Sequence, residues 1–280
     1  MTAQTAQTAT AAHAASRTRP ASPYTLSFGR ILRSEWIKLA TLRSTWWSLA
    51  ITAAMTVGIA LMIAAAMTVP DMPGMPGAMI AVMPIQFTML LAGILGVIAV
   101  TGEYSTGMIR STLTAVPARG VVLAAKSVVI GGVLFVASLI IFATALLAIA
   151  PIVATGASPI DWSDFEATYA PILLASGAMA IFALIGVGFG FVLRSGAGAI
   201  AATVGLLFVL PIVATMFSMA GEAWLWVIDL SYYLPSNAAQ IAITGNTDAP
   251  ISLTAAYVTL GAWALGSLLA AWAVLRTRDA

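Results

Sequence analysis

Six apolar runs punctuate this chain, at about Trp46–Ala66, Ile80–Thr101, Ser127–Ala150, Pro171–Leu193, Gly196–Met219 and Leu253–Leu275. Each is about 20–24 residues long, the length an α-helix needs to cross a hydrocarbon core of about 30 Å. The polar segments between them alternate in charge. Counted from the N-terminus, the odd ones hold all twelve Lys and Arg residues: Arg17, Arg19, Arg30, Arg33, Lys38 and Arg43, then Arg110, Arg119 and Lys126, then Arg194, then Arg276 and Arg278. The even ones hold no base and carry Asp71, then Asp161, Asp164 and Glu166, then Glu222, Asp229 and Asp248. Bases accumulate on the cytoplasmic side of a membrane. The pattern therefore predicts an all-α polytopic membrane protein with six transmembrane helices, both termini cytoplasmic (N-in/C-in). Its expected location is the lipid bilayer of the cell membrane.

Ahead of the first run the pattern changes period. Between Leu26 and Arg43, residues Phe28, Ile31, Leu32, Trp36, Leu39 and Leu42 fall in one sector at 100° per residue, with Arg30 and Arg33 opposite. This predicts an amphipathic helix over 26–44, lying in the inner interface and leading into the first crossing. Its candidate contact residues are Arg33, Glu35, Trp36 and Lys38. Glu35 falls inside the apolar sector. Either it pairs with Lys38 or with another segment, or it sits exposed at the interface. Trp46 and Trp47 mark the inner boundary as interface residues. Residues 1–25, rich in Ala and Thr and without an apolar signal-peptide core, read as a disordered cytoplasmic tail. His13, the single histidine, lies there with no second ligand beside it.

The domain reading is thus a tail over 1–25, an interfacial helix over 26–44 and a six-helix domain over 45–280, with a cytoplasmic loop at 102–126 and an outer segment at 220–252. Pro70–Gly77 is too dense in Pro and Gly for regular structure. Pro84 and Gln86, near the outer end of the second span, read as a satisfied polar site near the interface, with a kink or a lining contact as the alternative. Gly186 and Gly190 form a GxxxG spacing for close helix packing, preferred within one chain over a seam between chains. Pro211 bends the fifth span. The interface-type residues Trp224, Trp226, Tyr232 and Tyr233 suggest a short helix or re-entrant element over Glu222–Tyr233, ending near Leu234–Asn237.

Composition agrees: 61% of residues are hydrophobic and 8% charged, with a mean hydropathy of +1.01, where a soluble domain is about a quarter charged. The net charge of +2 reflects the topological bases and does not point to nucleic acid. The chain has no cysteine, which excludes disulfides, thiol catalysis and thiolate metal sites. No apolar run contains Asp, Glu, His, Lys or Arg, which disfavours an ion-coupled secondary carrier and leaves no group for hydrolysis within the membrane. Gly120-Val-Val-Leu-Ala-Ala-Lys126-Ser127 approximates a phosphate-binding loop, but Ala125 replaces its second glycine and no strand precedes it. The chain is expected to be non-enzymatic and to bind no cofactor itself.

The loop after the second run reads Thr101-Gly-Glu-Tyr-Ser-Thr-Gly-Met-Ile-Arg-Ser-Thr-Leu113, then Val116-Pro117. With Arg33-Ser-Glu-Trp-Ile-Lys-Leu39 and Leu42-Arg-Ser-Thr-Trp-Trp47, it resembles the permease subunits of type-2 ABC exporters, in their actinobacterial style, over nearly the whole chain. The resemblance implies a membrane-spanning permease that pairs with a second permease, as homodimer or heterodimer. Separate cytoplasmic ABC ATPase subunits would bind ATP-Mg. It also implies that Glu103, Tyr104, Ser105, Thr106, Gly107 and Arg110 form the coupling contact with the ATPase, beside the interfacial helix. A non-transporting membrane scaffold is the second reading.

Overall fold

A computed structural model describes residues 27–68, 75–154, 160–217 and 221–277; the tail with His13 and the middle of the loop between the first two spans, with Asp71, lie outside the described residues. All regular structure among the described residues is helical. Six helical stretches are long and apolar enough to cross a membrane.

Helix α1, Phe28–Thr41, ends where Leu42 turns to extended backbone and its N–H bonds back to the Leu39 carbonyl. The first span, α2, Arg43–Ala66, starts at once, and the Trp46 indole N–H donates to the Ala40 carbonyl at 2.8 Å, fixing the corner. Along α2 the buried face is small or hydroxylic: Thr45, Thr52, Thr56, Ala60 and Ala64. Thr52 and Thr56 return their hydroxyl protons to carbonyls one turn back. Ile51, Met55 and Met62 point outward. A span that turns small residues inward and bulk outward is built for lipid on its open side.

The second apolar run is two helices, α3, Gly77–Val82, and α4, Ile85–Ser105. Pro84 has no N–H for the carbonyl a turn earlier, so the helix breaks at Met83–Pro84, which is the alternative that the sequence offered at this position. Gly107, at φ 71°, makes the left-handed turn into α5, Met108–Ala115. The third span, α6, Arg119–Val153, is 35 residues long, or about 53 Å, and outruns any hydrocarbon core. Asp164 caps the short α7, Phe165–Thr168, by accepting from the Ala167 N–H at 3.0 Å. It leads into α8, Ala170–Leu193.

The fifth span comprises α9, Gly196–Val204, a π-turn at Gly205–Val209 and α10, Leu210–Phe217. Pro211 cannot bond the Leu207 carbonyl, and the wider turn ahead of it absorbs that loss. The segment between the fifth and sixth spans holds a 3-10 turn at Glu222–Trp224, α11, Leu225–Ser231, and α12, Pro235–Thr244. Sequence reading ended this element near Leu234–Asn237. Instead Pro235 opens a further helix whose Ala238, Ala239, Ala242 and Ile243 are buried, since proline suits a first helical turn as well as a stop. The last span is α13, Leu253–Thr277.

Helix α8 is the axis of the bundle. In its most apolar window 61% of residues are buried, and in that of α4 56%, against 22% in α2 and α13. Glycine explains how α4 and α8 come so close. A Cβ at Gly186 would stand 2.1 Å from the Gly93 carbonyl oxygen, one at Gly96 2.0 Å from that of Ala183, and one at Gly190 2.9 Å from Val100 Cβ. Gly188, on the other side of α8, lies against Ser267 of α13. At Gly96 and Gly186 the backbones of α4 and α8 touch with no side chain between them.

Candidate functional site

Where α1 crosses the ends of α4 and α6, four charged side chains meet. Lys126 Nζ, on α6, donates to Glu35 Oε2 at 2.5 Å and to Glu103 Oε1 at 2.6 Å. Lys38 Nζ, on α1, donates to Glu35 Oε1 at 2.6 Å and Glu103 Oε1 at 3.0 Å. The Lys38 side chain is 24% exposed, and the other three are within 3–5%. Two carboxylates and two ammoniums cancel, so a buried cluster of four ions carries no net charge, the condition under which ions are tolerated away from water.

The cluster exists because helices outrun hydropathy. Helix α4 continues past Thr101 to Ser105, and α6 begins at Arg119, eight residues before its apolar run. Glu103 and Lys126 are thereby carried on span helices, which the apolar windows alone excluded. Glu35 lies within the apolar face of α1, and it is buried there against Lys38 of its own helix and Lys126 of α6. Burial pushes the Glu35 carboxyl up, but the Lys126 and Lys38 ammoniums outweigh it and hold it below the ordinary carboxylate value. Burial likewise pushes Lys38 down, and Glu35 and Glu103 more than offset it, so it titrates above a free lysine. Both groups are charged near neutrality, and Lys38 is held as an ammonium.

The remaining contacts make one unit of this end of the molecule. Lys38 also reaches Thr112 Oγ1 of α5 at 3.3 Å. Ile109 anchors α5 to the main core. Ile31 of α1 packs with Val116, Val122 and Ala125 around the α5–α6 junction. Arg119 donates to the Leu275 carbonyl at 2.6 Å, tying the end of α13 to the start of α6. Arg194, which closes α8 at φ 55°, lies 5.5 Å from the Tyr104 ring centroid. Tyr104 in turn meets Phe191 edge-on. Base-bearing segments from α1, α5, α6, α8 and α13 thus gather at one end of the bundle.

Of the residues marked for the coupling contact, Ser105, Thr106, Gly107 and Arg110 are exposed, Tyr104 is half-buried and Glu103 is buried. The first group offers a surface; Glu103 faces the two lysines. On α1, Arg33 and Trp36 are exposed while Glu35 and Lys38 join the cluster. Gly186 and Gly190 lie apart from it, in the α4–α8 seam. Lys126 is the member that sequence reading left out. A signal was present: Lys38 and Lys126 are the chain's two lysines, every other base being arginine. Glu35 and Glu103 are likewise the acids of the base-rich segments, apart from Asp279 near the terminus.

Beside the cluster lies a cleft of about 510 Å³, lined by α1, the end of α4, the start of α5 and α6. Among the described residues no three His, Cys, Asp or Glu side chains converge as a metal-binding set. No family model matches the chain, and no curated protein matches it.

Proposed function

We propose that this chain is the membrane-spanning permease subunit of an ATP-driven exporter in the cell membrane, both termini in the cytoplasm. It has no catalytic site of its own. It works with a second permease and with separate ABC ATPase subunits that hold ATP-Mg. The observation that carries the reading is the ion cluster. It joins α1, α4 and α6 directly and α5 through Thr112, so a push on the exposed face of α5 passes through Lys38 into two spans by charge-assisted bonds. The gathering of base-bearing segments at that end supports its placement in the cytoplasm. In this reading Ser105, Thr106, Gly107 and Arg110 meet the ATPase, and Glu103 acts from behind them as a positioning residue.

The test is co-purification in mild detergent of the tagged chain with the ATPase encoded beside it, comparing wild type with Arg110→Glu. Stoichiometric ATPase on wild type, reduced in the variant at equal membrane insertion, supports the reading. If wild type retains no ATPase, or both retain it equally, the coupling role falls and a non-transporting membrane scaffold takes its place.

A further inference from the structure

At the far end of the bundle from the ion cluster, methionine recurs at every fourth position: Met75, Met79 and Met83. All three line one cleft of about 290 Å³ between α3 and α12. Ile85 in its wall and Glu103 of the ion cluster stand near opposite ends of α4, about 27 Å apart along the axis. Helix α3 buries Ala78, Ile80 and Ala81 in the core, whereas Met75 and Met79 are half-buried and Met83 is 45% exposed. Met79 lies in α3 and Met83 follows it with helical backbone, so their Cβ atoms are neighbours about 5–6 Å apart. Methionine turns about several flexible bonds, which lets two thioethers one turn apart close on a single ion. Met75 joins the same wall from ahead of Pro76, the residue that caps α3.

The rest of the wall decides which ion. It holds no carboxylate, imidazole or thiolate, and its polar members are Gln240 and Thr244 of α12. The Thr244 hydroxyl gives its proton to the Gln240 main-chain carbonyl at 2.9 Å. Calcium takes about six to eight oxygens, and zinc takes Cys, His or carboxylate, so neither finds its ligands here. Thioethers are soft donors and select copper(I). Val82, Ile85 and Ile243 complete the wall with apolar surface, which gives water little to hold it in competition with the sulfurs. A methionine row buried in a core is packing. These three face an open cleft, where leucine would cover the same area and only sulfur adds a ligand.

We infer that this cleft binds a soft, closed-shell monovalent cation, copper(I) in the cell and silver(I) as its stand-in, on the thioether sulfurs of Met75, Met79 and Met83. The site does not depend on whether α5 meets an ATPase.

The test titrates silver(I), which needs no reductant, into the full chain in mild detergent and chloride-free buffer, with bound metal read by equilibrium dialysis. The purification tag carries no His or Cys, and the chain itself has no cysteine to compete. Saturable binding of one silver per chain is expected, with a first shell of sulfur by X-ray absorption. Copper(I), added without oxygen, should displace it, and an excess of calcium or zinc should not. Met79→Leu and Met83→Leu keep side-chain volume, so the metal-free variants should melt with wild type. Each should bind silver about tenfold or more weakly. Met108→Leu removes a thioether that is 40% exposed at the ion-cluster end and should leave the affinity unchanged. Wild-type affinity in both Met79→Leu and Met83→Leu, an equal loss in Met108→Leu, a shell of oxygen or nitrogen, displacement by calcium or zinc, or failure of copper(I) to compete would each overturn the assignment.

Discussion

Replacing Lys126 by methionine tests the ion cluster most directly. Methionine keeps the length of the side chain and removes the ammonium. Lys126 is 3% exposed and its bonds to Glu35 and Glu103 measure 2.5 and 2.6 Å. Without it two buried carboxylates share Lys38 alone. Removing one partner from a buried ion pair costs about 3–5 kcal/mol. In a domain of this size each kcal/mol moves the melting midpoint by about 2–4 °C, so Lys126→Met should melt about 6–20 °C below wild type. Intrinsic tryptophan fluorescence in mild detergent reads this, with Arg33→Ala as the exposed control. The pH dependence gives a second, sign-sensitive arm. In wild type the Glu35 carboxyl lies below its ordinary value of 4.5, so its stabilisation is complete above that pH and is lost as pH falls through the lowered value. In the variant the ammonium that most opposes burial is gone and the carboxyl moves up from its wild-type position. The stability that Glu35 loses on acidification therefore shrinks. A melting point within about 2 °C of Arg33→Ala, or an unchanged pH slope, would refute the cluster as described.

Two further predictions concern packing and orientation. Gly186→Ala places a methyl 2.1 Å from the Gly93 carbonyl oxygen, so it should lose about 1–3 kcal/mol and chromatograph as a broader species. Gly58→Ala, in α2 with open space around it, should be neutral or slightly stabilising; equal behaviour of the two would deny the seam. Because the chain has no cysteine, single cysteines report sidedness cleanly. Arg110→Cys should react with an impermeant maleimide only after cells are opened and Ser163→Cys should react in intact cells, the reverse result inverting the topology.

The spans were legible because each is a long, uninterrupted choice of apolar residues, and hydropathy reads that choice locally. The site was not, for reasons equally physical. Glu35, Glu103 and Lys126 are separated by 91 and 23 positions, and no periodicity spans such distances. A lysine just before an apolar run looks like a topological marker at the membrane surface, and Lys126 looks like one until α6 is seen to start at Arg119. Glu103 enters the coupling contact only through the resemblance, together with Ser105, Thr106 and Arg110, which do face outward. One further turn of α4 reverses its direction. Pro84 and Pro235 show the other limit: the same residue broke one helix and opened another, and only the packing decides which.

The seam between α4 and α8 also restricts how the molecule can move. Most helix pairs slide by exchanging side-chain rotamers at their interface. Gly93, Gly96, Gly186 and Gly190 leave little there to exchange, so the pair has no graded set of neighbouring arrangements. Helices α4 and α8, with Gly188 pressed against α13, form a keel that travels whole. Any alternation of the protein between two shapes therefore has to be taken up at its looser members, α2 with its lipid-facing bulk and the fifth span with its π-turn, pivoting about a spine that does not flex.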